Sequence, residues 1–294
     1  MYFDALTTAA IADELRATLS RGRVQDSVQI DAHSIGLEIY ANQQRRYLLL
    51  SADGQRPRAY LAADKLRRGV ERPSQLALLV RRYVEGARLA GVSVPEWERV
   101  LALEFEGSEG ATRLIAELIE RRSNILLVSE EGVILDCARR VGPQENRVRL
   151  SLPGHEYVPP PPQHKRDPLD LTPLLIEDAL LSNPGLPAWR ALTQKVRGFS
   201  PLLAREAIYR ATGAAQAIAA DTSARALQDV IEELLMPLWE HNWQPCIARN
   251  AEGNIVAFAP YRLTHLDHVE AVETISQAAE MYYGVHVGTD PYEA

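Results

Sequence analysis

Cysteine is nearly absent, with Cys137 and Cys246 the only two in 294 residues. Two thiols are too few for a disulfide framework or a Cys-based zinc site, so a reducing, cytoplasmic setting is the default expectation. Long apolar runs are missing too. Runs such as residues 78–80 and 125–128 fall far below the roughly 18 residues that suggest a membrane span. The opening M-Y-F-D-A-L has an acid at position 4 and no leading basic cluster, which does not read as a signal peptide. Also lacking are a Walker-type G-x-x-x-x-G-K, a G-x-S-x-G and an H-E-x-x-H. The nearest metal-like group is His265-Leu266-Asp267-His268. Spacing alone is weak support for zinc, which needs three or four convergent ligands, and a solvated helix N-terminus capped by Thr264 or Asp267 is the expected reading.

What the chain does have is ample apolar content, 46%, and a length suited to about two domains. Its net charge of −7 argues against nucleic acid, but the charge is unevenly spread. Residues 41–90 hold eleven Lys/Arg against four acids. A basic face on an acidic body gives such an asymmetry, although surface arginines are common in any case.

Apolar spacing predicts a helix over residues 7–19 with Gly22 as its stop, strands within 24–40, 46–50 and 59–62, and a helix over 74–89. Residues 99–105 and 112–118 read as further strands, and 125–128 with 133–136 as a hairpin closed by Ser129-Glu130-Glu131-Gly132. This N-terminal part is therefore α+β, a mixed or antiparallel sheet carrying two helices. A run of four prolines at 159–162 forms a stiff spacer. Beyond it, residues 171–182, 187–194, 201–209 and 223–235 read as short helices, 246–248 and 255–260 as a second hairpin, and 268–283 as a last helix.

Cations flank the first hairpin. Arg121 and Arg122 lead in, and Arg139, Arg140, Arg147 and Arg149 follow. Guanidinium forks on a rigid element suit phosphates. Arg81 and Arg82 project from the helix over 74–89. Glu98-Arg99, just ahead of a strand, is either a structural charge pair or a pair with one member facing a ligand. Gly198, Ser200 and Pro201 make a glycine turn into a helix N-terminus, which can present N–H groups to a phosphate or simply join two helices.

These stretches, taken in order, resemble the NFACT family of ribosome-quality-control factors, which includes the bacterial RqcH and animal NEMF proteins and many chains named fibronectin-binding protein A. The resemblance runs through F-D-A-L at 3–6, G-R-V at 22–24, L-L-L-S-A at 48–52, L-L-V-R-R-Y-V-E-G at 78–86 and E-R-V at 98–100. It continues with R-R-S-N-I-L-L-V at 121–128, N-R-V-R at 146–149, L-P-G-x-x-Y-x-P-P-P, and G-F-S-P-L-L-A-R-E at 198–206.

It implies an N-terminal domain at 1–165, similar to the N-terminal domain of the formamidopyrimidine-DNA glycosylases. An all-α helix-hairpin-helix-like domain at 170–238 follows, then a returning β-hairpin at 239–264. Residues 265–294 would hold a helix and the start of a coiled coil, the chain being a fragment. The implied activity is not enzymatic, with no catalytic residue and no cofactor. It is binding of tRNA, alanyl-tRNA in bacteria, and of the large ribosomal subunit obstructed by peptidyl-tRNA, for mRNA-independent tailing. The implied RNA-binding set is Glu98, Arg99, Arg121, Arg122, Ser123, Asn124, Arg81, Arg82, Arg147 and Arg149, with no metal. The family's Asp-Arg pair falls on Glu98-Arg99, and its G-R-H-S-N signature appears as Glu120-Arg121-Arg122-Ser123-Asn124, without the glycine.

Two rivals remain. A glycosylase would need an N-terminal Pro-Glu where this chain has Met1-Tyr2-Phe3. A surface adhesin, the sense of the older family name, would make fibronectin a partner.

Overall fold

The structure, a computed structural model, describes residues 3–284. They fall into two compact units. One combines residues 3–10, 96–98 and 162–278, and the other residues 11–95, 99–161 and 279–284. One boundary passes between Pro161 and Pro162, inside the proline run.

Helix α1 (Ala5–Leu19) begins at Asp4, whose Oδ1 accepts the Thr7 backbone N–H at 2.9 Å, an N-cap that satisfies one of the helix's orphan donors. Leu6, Ala10, Ile11, Leu15 and Leu19 are buried, the last four as their spacing predicts. The stop differs from expectation. Arg21, rather than Gly22, adopts the left-handed φ of 58°. Gly22 serves close packing instead, since a Cβ there would lie 2.7 Å from Ile39 Cγ2 and 2.9 Å from Ala41 Cβ.

Strands β1 (Arg23–Asp31), β2 (Ser34–Ala41), β3 (Gln44–Ser51) and β4 (Arg58–Ala62) follow as an antiparallel meander. Helix α2 (Gln75–Val84) is capped by Ser74, whose Oγ accepts from the Ala77 N–H at 3.2 Å. It buries Leu76, Val80 and Val84 and turns Arg81 and Arg82 outward. It ends earlier than its apolar spacing suggests, because Gly86 takes φ 77° and residues 88–93 enter the sheet.

Strands β5 (Arg88–Ser93), β6 (Val100–Gly107), β7 (Gly110–Glu117), β8 (Asn124–Ser129) and β9 (Ile134–Cys137) complete a nine-stranded sheet of order β4-β3-β2-β1-β5-β6-β7-β8-β9. Each neighbouring pair is antiparallel. Between the expected mixed or antiparallel sheet, the antiparallel form is the one built. The seam between β1 and β5 is short, with Arg23 opposite Arg88. It lets the sheet fold back on itself, so that the β3–β4 turn reaches the β7–β8 connection: a Cβ on Gly54 would sit 3.4 Å from Arg121 Cα.

The other unit is mainly helical, with α3 (Pro173–Leu181), α4 (Ala188–Lys195), α5 (Pro201–Thr212), α6 (Ala224–Leu235) and the short α7 (Pro237–Glu240). Strands β10 (Cys246–Arg249), β11 (Ile255–Ala259) and β12 (Val269–Ala271) form a sheet of order β11-β10-β12, and α8 (Ile275–Tyr283) follows, its residues from 279 onward belonging to the sheet unit. The helices and this small sheet share one core. Leu192, Leu203, Ile208, Leu227 and Ile231 cluster with Cys246, Ala248, Ala257, Ala259 and Tyr261.

The last helix starts later than residue 268. Residues 269–271 pair with β10, and His268 takes φ 50°. The expected coiled-coil start falls largely on residues 285–294, which lie outside the described residues. Among the described residues no helix is long and apolar enough to cross a membrane.

Gly22→Ala overpacks the contact with β2 and is expected to destabilise the protein by roughly 1–3 kcal/mol. Urea unfolding checks this, and an unshifted midpoint would refute the packing account.

Candidate nucleic-acid interface

Arg121 and Arg122 lie on a single 3-10 turn, Glu120–Arg122, between β7 and β8. Both side chains are exposed, and among the described residues neither forms an ion pair or a hydrogen bond. Arg99 is half-buried directly before β6, and its carbonyl accepts the Leu118 N–H at 2.8 Å. The antiparallel order of β6, β7 and β8 thus brings Arg99, Arg121 and Arg122 to one end of the sheet. The β3–β4 turn adds Arg56, which donates to the Tyr283 carbonyl at 2.8 Å and lies 5.4 Å from that ring's centroid. Nothing local in the sequence signals this last contribution, because it depends on the sheet folding back.

Three restraints hold the turn. Asn124 acts as a clip. Its Nδ2 donates to the Arg139 carbonyl and its Oδ1 accepts the Arg139 N–H, both at 2.8 Å. Arg139 in turn donates from Nη1 to the Arg121 carbonyl and from Nη2 to Glu145 at 2.9 Å. Glu120 supplies the bend with φ 47°. This is the place at which the family signature carries glycine, and the left-handed backbone that favours glycine is present although the residue has changed.

Ser123 is buried with an Oγ that has no hydrogen-bond partner among the described residues. Burial, and then the neighbouring Asp136 charge, push the Cys137 thiol up to about 11. It stays protonated there as a donor to the Arg139 carbonyl, 3.2 Å away.

Other members of the expected set lie elsewhere. Arg82 pairs with Glu109 at 2.8 Å beside the β6–β7 turn, and Arg81 lies 3.4 Å from Glu85. That is the opposite end of β7 from Arg121, about 24 Å away at the usual strand rise. The N-R-V-R motif is split. Arg147 is exposed, whereas Arg149 points inward to Glu117 at the end of β7 and donates from Nε to the Val158 carbonyl at 2.6 Å. Tyr157 donates to the same Glu117 at 2.9 Å. Burial pushes the Glu117 carboxyl up, against the opposing pull of Arg149. Arg149 is therefore committed to neutralising a buried acid.

Glu98 is half-buried and belongs with the helical unit, the unit boundary passing between it and Arg99. In that unit Gly198 takes φ 72°, and a Cβ on it would lie 3.0 Å from Trp97 Cε3 and 3.4 Å from Ala5 Cβ. Ser200 caps α5, accepting from the Leu203 N–H at 3.1 Å, with Pro201 at the first helical position. Its hydroxyl donates to Asp4 Oδ2 at 2.6 Å. The anion that the α5 N-terminus attracts is thus supplied from within the chain, by the carboxylate that caps α1.

Helix α5 is also tied at Glu206, which is fully buried. Glu206 accepts from Arg210 Nε at 2.7 Å, Thr264 Oγ1 at 2.6 Å and the Thr264 N–H at 2.9 Å, and lies 2.6 Å from His265 Nδ1. Burial alone would raise this carboxyl, but the hydrogen bonds from His265, Thr264 and Arg210 outweigh it and hold the group at about 2. Residues 264–268 are accordingly not the helix N-terminus expected from the sequence, since Thr264 and His265 are spent on Glu206. Among the described residues no group of three or more His, Cys, Asp and Glu could hold a metal ion.

Residues 4–292 match the family described as NFACT N-terminal and middle domains. A Bacillus subtilis protein named Rqc2 homolog RqcH is 29% identical over 293 residues, covering 96% of this chain and 49% of that protein. A Streptococcus pneumoniae protein of the same name is 30% identical over 177 residues, 58% of this chain and 32% of that one. The chain thus spans about half the length of the first relative and about a third of the second. Among solved structures, the fibrinogen-binding protein from Staphylococcus aureus superposes with a TM-score of 0.78 at 22% identity, covering 96% of this chain and 99% of that one. The N-terminal part of the Streptococcus suis fibronectin/fibrinogen-binding protein gives 0.75 at 22% identity, with coverage of 96% and 98%. At that identity the likeness is one of fold.

Glu120→Gly relieves a left-handed side chain while freeing the unfolded chain, and is expected to leave stability unchanged or raise it by about 1 kcal/mol. Thermal unfolding reads this, and a clear drop in midpoint would contradict the backbone account. Glu206 titrates below its unfolded value of 4.5, so its contribution is complete above about pH 4.5 and declines as pH falls toward about 2. Glu206→Gln is therefore expected to cost on the order of 3 kcal/mol near neutrality and progressively less in acid. Parallel denaturant titrations from pH 7 to pH 3 would disprove this if the gap stayed constant.

Proposed function

Because the chain belongs to the NFACT family, we propose that it is the RNA-contacting N-terminal and middle portion of a cytoplasmic ribosome-associated quality-control factor. In this reading it acts by binding, not by catalysis. It holds tRNA, alanyl-tRNA on the family's pattern, at the sheet end formed by Arg99, Arg121 and Arg122. It engages the large ribosomal subunit that still carries peptidyl-tRNA, and so supports mRNA-independent alanine tailing.

One observation carries the reading. Arg121 and Arg122 are exposed and un-neutralised on a turn that three separate restraints make rigid. A guanidinium fork fixed in this way gives up little further freedom when it meets a phosphate, and no internal carboxylate has to be displaced. Arg149 and Arg82 lack that second property, so they support the reading less than the sequence suggested.

Binding of fibronectin or fibrinogen, after the names of the two solved structures, is the second reading. It calls for a protein-binding surface instead of a phosphate-binding one, and the two readings part on a single measurement of partner and salt dependence.

Filter binding of tRNA across a salt series is the test, on the longest chain that contains these domains. Arg121→Glu combined with Arg122→Glu, and separately Arg99→Glu, should weaken binding and lower the salt slope by about one for each phosphate that is no longer neutralised. Arg149→Glu should instead reduce stability. Unchanged affinity and slope in the first two variants would remove the site assignment. Failure to co-sediment with isolated large subunits, alongside retention on immobilised fibronectin, would favour the second reading.

A further inference from the structure

A cavity of about 440 Å³ lies within the helical unit, against the first turns of α5 and one face of β11. Leu202, Val256 and Leu266 give it apolar walls, and Arg205, Gln216 and His265 bring polar atoms to it. Its size is that of a small-molecule site.

Arg205 is the unusual member. Its guanidinium carbon lies 4.2 Å from the centroid of the Trp189 ring, within the range of cation–π attraction. Among the described residues it makes no ion pair and no hydrogen bond, and its Nε is buried without a partner. Arg190 also lies over Trp189, at 5.4 Å, so no counter-charge comes from that side.

The neighbouring groups are oriented as well. Trp189 Nε1 donates to Gln216 Oε1 at 3.2 Å, which leaves the Gln216 amide N–H groups as donors. Glu206 holds His265 through Nδ1 at 2.6 Å, which leaves Nε2 for the cavity. Among the lining polar groups donors predominate and Arg205 is the one permanent charge, while the ionised Glu206 behind His265 is taken up by Arg210, Thr264 and His265.

We propose that this cavity binds a small organic anion, an oxyanion head of carboxylate or phosphate type on a compact apolar body. The head pairs with the Arg205 fork and the Gln216 amide, and the body covers Leu202, Val256 and Leu266. A charged ligand removes the cost of a half-buried guanidinium that lacks an anion, and the apolar walls add the area that a bare inorganic ion cannot use. The site is independent of the tRNA reading and involves none of the arginines at the sheet end.

Calorimetric titration with three probes tests it: phenyl phosphate, 3-phenylpropionate and inorganic phosphate. One of the two aryl anions should bind, and which of them does so identifies the head group. Inorganic phosphate should bind at least several-fold more weakly. Arg205→Met, which keeps the stem against Trp189, should weaken binding by roughly tenfold or more. Gln216→Glu places a carboxylate at an exposed position and should weaken it without perturbing the fold, as circular dichroism would verify. Arg121→Glu with Arg122→Glu should leave it unchanged. Absence of binding by either aryl anion, or equal affinity in Arg205→Met and Gln216→Glu to that of the unaltered chain, overturns the proposal.

Discussion

The carboxylate of Asp4 serves two helices at once. One oxygen accepts from the first turn of α1, and the other accepts from the Ser200 hydroxyl that caps α5. Both helix N-termini carry partial positive charge, so a single buried anion satisfies two dipoles that would otherwise repel each other. The packing around it leaves little tolerance. Gly198 must lack a side chain because Trp97 and Ala5 occupy the space, and its backbone must adopt a positive φ to turn into α5. With the start of α5 fixed there and Glu206 pinned a turn and a half later, the helix presents Arg205 at a set position. Two buried acids thus fix α5 in place, and with it the position of Arg205.

The sheet end follows a different rule. The turn that carries Arg121 and Arg122 is held chiefly by backbone and amide contacts, with Glu145 steadying Arg139. Asn124 reads both the N–H and the C=O of residue 139, a geometry that only an amide side chain offers, and Arg139 then grips the carbonyl of residue 121. The pairing of acids with arginines elsewhere in this unit is internal. Glu117 takes Arg149, and Glu38 takes Arg45 and Lys65. The excess positive charge counted along residues 41–90 is therefore only partly available at the surface, because some of it neutralises buried acids and some of it stacks on Tyr283.

Much of the fold was legible in the sequence. Apolar alternation and short apolar runs located most strands of the sheet but not β5, whose first residues carry on the apolar spacing of α2, and Pro-Gly punctuation located the helices beyond the proline run. Helix ends were less legible. Residues 85–89 continue the apolar spacing of α2, yet Gly86 turns the chain, and whether a glycine bends or merely fits depends on what packs against it, as Gly22 and Arg21 illustrate. Residues 268–271 look helical because their apolar positions suit either period, and the edge of β10 decided the matter. At the candidate interface, the proximity of Arg99 to Arg121 was readable from strand order. The inward course of Arg149 was not, since it depends on Glu117 being buried thirty-two positions away along the chain.

The segment that precedes the proline run closes the open side of β9. The Gly154 N–H reaches the Ile134 carbonyl, the Ile134 N–H reaches the His155 carbonyl, and the Tyr157 N–H reaches the Gly132 carbonyl. Residues 159–162 then follow as prolines with no N–H to offer. A strand from a second molecule finds the backbone groups of residues 132 and 134 already paired, and the prolines that follow in sequence have no N–H to add. Residues 154–157 therefore act as a built-in blocking strand, shielding the start of this edge from edge-to-edge pairing.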